Sequence, residues 1–223
     1  MRRALFAAAL VVLAGDRGAA WLQPQPMAPT PLAALADGRQ LLKYLVGCAL
    51  PRGAQATLDV DGERRVFEGE LGLAPRWMHA ALAPAEQRLV SACLLARANH
   101  FARPVRISLR GRNGRVPPAL DGARVPTVEA ARYARFEGAF FGNVFATPPR
   151  AYACTGEAPS PARRAWLESL MRVCTLTPGF PTSEVSRCGM RLVGRCSEPG
   201  AFRQDGVDYR DDAVEVWLPA SPG

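Results

Sequence analysis

The stretch Glu86–Pro118, EQRLVSACLLARANHFARPVRISLRGRNGRVPP, limits the possible folds more than any other part of the chain. Its first half has a helical pattern. Pro84 suits a first turn, Glu86 complements the positive end of the helix dipole, and Val90, Cys93, Leu94, Ala98 and Phe101 line one face. Leu89 and Leu95 widen that face until the helix is apolar nearly all round. Such a helix has no side to give to water, which predicts a central position. Pro104 stops it. Val105, Ile107 and Leu109 then alternate with Arg106, Ser108 and Arg110, the pattern of a half-buried strand with its apolar face in and its arginine face out. Asn113-Gly114 marks the turn that follows.

The cysteines set a second limit. Residues 1–20 carry Arg2 and Arg3, an apolar run from Ala4 to Ala14, and small residues at Gly18, Ala19 and Ala20. That is the order of a secretory signal peptide. The run is well short of the ~20 residues that a membrane-crossing helix needs. Cys48, Cys93, Cys154, Cys174, Cys188 and Cys196 all lie beyond it. An even number behind an export signal predicts three disulfides, each stabilising the fold by ~2–4 kcal/mol. Connectivity does not follow from spacing alone. Cys48 and Cys93 both fall on apolar helix faces, which favours that pair as a staple between two helices. Among the other four, nested pairs Cys154–Cys196 and Cys174–Cys188 are favoured, because 174–188 is short and 188–196 is too extended to close on itself. No Cys-x-x-Cys occurs, so neither a zinc ribbon nor a thioredoxin-like redox pair is supported.

The rest of the pattern predicts a single disulfide-stapled α+β domain, with about three helices on a mainly antiparallel sheet. After the signal peptide comes a Pro-rich linker at 21–31. The domain spans 32–218 with a sub-boundary between 148 and 160, and 219–223 form a tail. A first helix from Pro31 carries Leu35, Leu41, Leu42, Leu45, Val46 and Ala49, weakened early by Gly38 and ended by Pro51 and Gly53. Ala56, Leu58 and Val60 alternate up to Asp61-Gly62, a two-residue hairpin signal, and Arg65–Leu73 returns with Val66 and Phe67 as its apolar bulk. Val128–Ala134 suits a short helix and Phe136–Phe145 an aromatic strand. Phe-Glu-Gly occurs at 67–69 and again at 136–138, where glycine permits close backbone approach. Ser160-Pro161 opens a further helix through Ala165, Trp166, Leu170, Val173 and Cys174. Short strands follow around Met190, Leu192 and Val193 and at Ala213–Leu218.

Charge bears on function. The formal net charge is +8, and the three arginines and one aspartate of residues 1–20 account for two units of it. Lys43 is the only lysine, so the arginine bias is partly compositional. Even so, Arg88, Arg97, Arg103, Arg106, Arg110, Arg112 and Arg115 run without an intervening acid. Arg106, Arg110, Arg112 and Arg115 are the candidate anion-binding residues, for a sulfated, phosphorylated or carboxylated polymer. An ordinary solvated face accounts for the same run. Nucleic acid is a poor fit, since no exposed aromatics interleave the arginines.

Other chemistry has thinner support. His79 and His100 are the only histidines, and no Gly-x-Ser-x-Gly or His-Glu-x-x-His accompanies them. Glu68 and Glu137, in the two Phe-Glu-Gly segments, are the carboxylates that a glycosidase would have to bring together. Asp59-Val60-Asp61-Gly62 begins like a calcium loop but lacks its later ligands, and a hairpin turn explains it better. Asp205, Asp208, Asp211 and Asp212 read as a solvated loop or, less simply, as a calcium site. No phosphate loop or dinucleotide glycine pattern occurs, so no cofactor and no metal is expected. No catalytic residue is assigned.

At YLVGCALP (44–51), LVSACLLARAN (89–99) and EGAFFGNVFA (137–146) the chain resembles uncharacterised exported, cysteine-bearing proteins of myxobacterial type. It is similar to the ADYC-domain group, although the nearest strings to the name-giving motif are Ala151-Tyr152-Ala153-Cys154 and Val207-Asp208-Tyr209-Arg210. The resemblance implies export and brings no known activity. Taken together, the expectation is an exported, periplasmic or extracellular, non-catalytic protein that binds a partner or belongs to the envelope. A hydrolase using carboxylates or a histidine is one alternative, and anionic-polymer binding through the arginine face is another.

Overall fold

In a computed structural model of the chain, residues 38–60, 63–98, 106–112, 125–156 and 190–220 are described, with the backbone alone at 11–12, 20–21, 38–41 and 59–60. At the N-terminus β1 (Val11–Val12) pairs antiparallel with β2 (Ala20–Trp21). Helix α1 is Gly38–Ala49. The residues from Pro31 to Asp37, where the sequence pattern sets its start, lie outside those described. Leu45, Val46, Cys48 and Ala49 are buried on it.

The end of α1 is capped by the chain returning to it. A helix leaves its last carbonyls without partners. Here Leu71 N–H donates to Gly47 O (2.9 Å), Leu73 N–H to Cys48 O (3.0 Å) and Ala74 N–H to Ala49 O (2.9 Å). Between the helix and that return lies the hairpin of β3 (Gln55–Val60) and β4 (Glu63–Glu68), in register from Gln55↔Glu68 to Val60↔Glu63. The turn residues Asp61 and Gly62 lie outside the described residues. Ala56 and Leu58 are buried, and opposite them Phe67 and Arg65 are half-buried. Val66 corrects the sequence reading. It pairs with Thr57 on the other face and is 58% exposed, so β4 contributes Phe67 but not Val66 to the core.

A 3-10 turn, Pro75–Met78, buries Trp77. Helix α2 is Pro84–Arg97. Glu86 holds its start, accepting the Ala83 N–H at 2.8 Å. Seven consecutive residues, Val90 to Ala96, are buried, as a helix apolar nearly all round requires. The helix ends short of Phe101, because Ala98 already has extended backbone. Cys93 is bonded to Cys48, which staples α2 to α1.

The main sheet has five strands in the order β5 (Ser108–Gly111), β11 (Val214–Leu218), β6 (Arg135–Asn143), β7 (Arg150–Thr155), β8 (Arg191–Arg195). Neighbours are antiparallel except β7 and β8. The protein is thus α+β with a mainly antiparallel sheet and disulfides. β6 and β7 pair directly on either side of residue 148, where the sequence reading sets a sub-boundary. Short helix α3 (Thr127–Arg132) precedes β6, and a small hairpin of β9 (Arg203–Gln204) and β10 (Val207–Asp208) precedes β11.

The period-2 alternation of the strands divides the sheet into two faces. Phe140, Ala153, Val214, Val216 and Leu218 join α1, α2 and the β3–β4 hairpin in one core, with Ile107 and Leu109 packed against it. Ala139, Phe141, Tyr152 and Cys154 point the other way. They meet Ala201, Phe202, Tyr209 and Ala213 in a second, smaller core. Cys154–Cys196 lies on this second face. Cys174 and Cys188, and the helix expected after Ser160, lie outside the described residues.

Candidate functional site

The arginine run does not form one outward face. Arg88 pairs with Asp212 (2.5 Å), from the far end of the chain, and Arg97 with Glu70 (2.8 Å) while stacking on Tyr44. Arg110 is half-buried and not outward as its alternation predicts. Its guanidinium lies 4.4 Å from the centre of the Trp217 ring, its Nη2 donates to Tyr133 O (2.8 Å) and its Nε reaches Ser108 Oγ (3.3 Å). Ser108, on the same face, is buried and donates to Glu129 Oε1 (2.7 Å). The sheet is covered here by α3, which sequence alternation alone does not reveal. Burial lowers the Arg110 pKa from its ordinary value, opposed by the charges of Glu129 and Glu215.

Arg112, one step beyond β5, lies 4.3 Å from the centre of the Phe202 ring and 3.7 Å from Glu215 Oε1. Glu215 Oε2 also accepts the Trp217 indole N–H (3.2 Å). Arg106 is exposed, just before the strand. Arg115 lies outside the described residues. Of the four candidates, then, Arg110 is built into the second face, Arg112 sits at its edge and Arg106 stands apart from both.

The carboxylates do not converge. Glu68 is exposed at the end of the two-stranded hairpin. Glu137 is buried in β6, where the register with β11 shifts between Val216 and Trp217. His79 is exposed beside the 3-10 turn, and His100 lies outside the described residues. The buried hydroxyl of Ser91 donates to Gln87 O (2.6 Å) and accepts the Val144 N–H (3.0 Å), pinning α2 to the end of β6. Asn143 donates to Gln87 Oε1 (3.1 Å) in the same seam.

The C-terminal aspartates are dispersed rather than gathered round a cation. Asp212 is taken by Arg88, and Asp208 lies 3.8 Å from Arg203. Asp205 accepts the Tyr152 hydroxyl and lies 3.8 Å from Arg150. Among the described residues no group of three or more His, Cys, Asp or Glu is placed to hold a metal. Asp205 and Gly206 form the two-residue turn of β9–β10, both with positive φ (48° and 76°), as a type I′ turn needs. Asp-Gly at 205–206 is the same signal as at 61–62, and it would have located this hairpin.

The second face also gathers an aromatic cluster. Phe141 packs against Phe202 (5.1 Å between ring centres), Tyr152 (5.7 Å) and Tyr209 (5.8 Å). Burial, then the hydrogen bond to Asp205, pushes the Tyr152 pKa well above its ordinary value. A hydrogen bond to Tyr209 raises that of Arg150. The chemistry this face offers is charge and planar N–H donors, and among the described residues no nucleophile is set against a base. Comparison with family models, curated proteins and solved structures finds no match. Among the described residues no helix is long and apolar enough to cross a membrane.

Proposed function

We propose that the chain is an exported, disulfide-stapled, non-catalytic domain that acts by binding, in the periplasm or outside the cell. The supporting observation is that many polar groups among the described residues are spent inside the fold. Ser91, Ser108, Asp205, Asp212, Arg88, Arg97 and Arg110 each answer an internal partner, and among the described residues no acid, base and nucleophile meet. Catalysis needs such groups aimed at a shared reacting atom. The two disulfides among the described residues fit an oxidising compartment, and the apolar run of residues 4–14 fits a cleaved export signal.

The test has two parts. The full chain is expressed in a host with a periplasm, and the recovered protein is sequenced from its N-terminus. A new terminus close to residue 21 supports export, and an intact Met1 in the cytoplasmic fraction overturns it. The purified protein is then offered a panel of ester, glycoside and peptide substrates. Turnover that disappears in Glu137→Gln or His100→Ala would replace the binding reading with the hydrolase.

A further inference from the structure

Two arginines share one ring at the edge of the second face. Phe202 is buried, with 2% of its surface exposed. The guanidinium carbon of Arg112 lies 4.3 Å from its centre and that of Arg210 lies 5.9 Å away. Arg112 arrives from the end of β5, and Arg210 from the turn between β10 and β11. The ring attracts both cations and brings together two charges that would otherwise repel.

What distinguishes this pair from Arg88, Arg97 and Arg110 is the state of its donors. Arg110 spends its N–H groups on Tyr133 O and Ser108 Oγ. Arg88 and Arg97 spend theirs on Asp212 and Glu70. Arg112 approaches Glu215 only to 3.7 Å, an ion pair too long for a hydrogen bond. Among the described residues, neither Arg112 nor Arg210 donates a side-chain hydrogen bond. Arg210 is exposed, and the Arg112 side chain keeps 28% of its surface in solvent. A guanidinium held near a ring face by cation–π attraction can still present N–H groups to an oxyanion, and its planar fork suits bidentate recognition.

We infer that Arg112 and Arg210, clasped over Phe202, form a binding site for the sulfate or carboxylate groups of an acidic polysaccharide. This rests on the reading of the chain as a binding domain. Single-stranded nucleic acid fits poorly, since stacking a base needs an open ring and Phe202 is buried. A membrane surface fits poorly too. The exposed large hydrophobic side chains among the described residues are Val66 and Val128, on β4 and α3, and neither adjoins the pair to anchor it in lipid.

The experiment measures binding of a sulfated heparin-type oligosaccharide to the full exported chain by calorimetry, at low and at physiological salt. Arg112→Ala and Arg210→Ala are each expected to weaken binding about tenfold, the loss of one charged hydrogen-bonding group. Arg106→Ala removes the same charge away from the ring and is expected to change binding less than about twofold. Arg112→Lys keeps the charge and loses the planar fork, and is expected to fall with Arg112→Ala. Far-ultraviolet circular dichroism accompanies each variant to establish folding. The inference is overturned if the wild-type chain does not bind, if Arg106→Ala weakens binding as much as Arg112→Ala, or if Arg112→Lys binds like wild type. It is also overturned if anionic phospholipid vesicles or a single-stranded oligonucleotide bind more tightly by the same two arginines. Export and the absence of turnover are read separately, so a failed binding site leaves the broader reading standing.

Discussion

Tyr152 shows how one side chain records its surroundings. Its ring lies in the aromatic cluster and its hydroxyl donates to Asp205, across the β9–β10 turn. Burial and that charged acceptor both disfavour the phenolate, so the folded chain holds this proton more tightly than the unfolded chain. The stability so gained is complete below the ordinary tyrosine pKa and is lost as pH rises above it. The chain has four tyrosines. In an absorbance titration of the phenolates, Tyr152→Phe is expected to remove a step lying above the ordinary tyrosine range. An unchanged alkaline step in Tyr152→Phe would mean that the contact with Asp205 is not made.

At the scale of elements, the repeated Phe-Glu-Gly has a common use. A side chain at Gly69 would run into the carbonyl oxygen of Pro51, and one at Gly138 into that of Cys154. Both glycines let one backbone lie hard against another, first where the hairpin returns to α1 and then where β6 meets β7. Gly138→Ala would force those two central strands apart, and overpacking of this kind costs about 1–3 kcal/mol. Chemical denaturation is expected to show that loss. A change under about 0.5 kcal/mol, the size of an ordinary surface substitution, would mean that the strands have room to adjust.

For the molecule as a whole, the two disulfides among the described residues lie on opposite faces of one sheet. Cys48–Cys93 joins the helices of the first core, and Cys154–Cys196 ties β7 to the chain just after β8. Their sequence separations are 45 and 42, so the chain entropy each removes from the unfolded state is almost the same. Replacing either pair by alanine is expected to lower the unfolding free energy by about 4 kcal/mol, measured at equilibrium in denaturant. Losing both approaches the whole stability of an ordinary domain, roughly 5–15 kcal/mol. If the two double variants differed by more than about 2 kcal/mol, packing in the two cores rather than loop closure would dominate.

What the chain's own order of residues determined was local or strongly apolar. The central place of α2 follows from a helix with no polar side. The β3–β4 hairpin follows from alternation around Asp61-Gly62, and the placing of Cys48 and Cys93 on apolar helix faces from helical spacing. These depend on neighbours a few residues away, which periodicity can register. What the tertiary structure decided was which face each half-polar residue turns inward and what it meets there. Val66 lies outside because Phe67 takes the core side of the hairpin. Arg110 lies inside because α3 and Trp217 cover it, and Arg88 finds Asp212 across 124 residues. The candidate anion site depends on the same kind of contact. Arg112 was legible as one member of an arginine run, but Arg210 and Phe202 were not, since only the packing of the 196–213 segment onto the sheet brings them together. Pairings between distant segments leave no mark on local spacing, and they exist only once the chain has closed on itself.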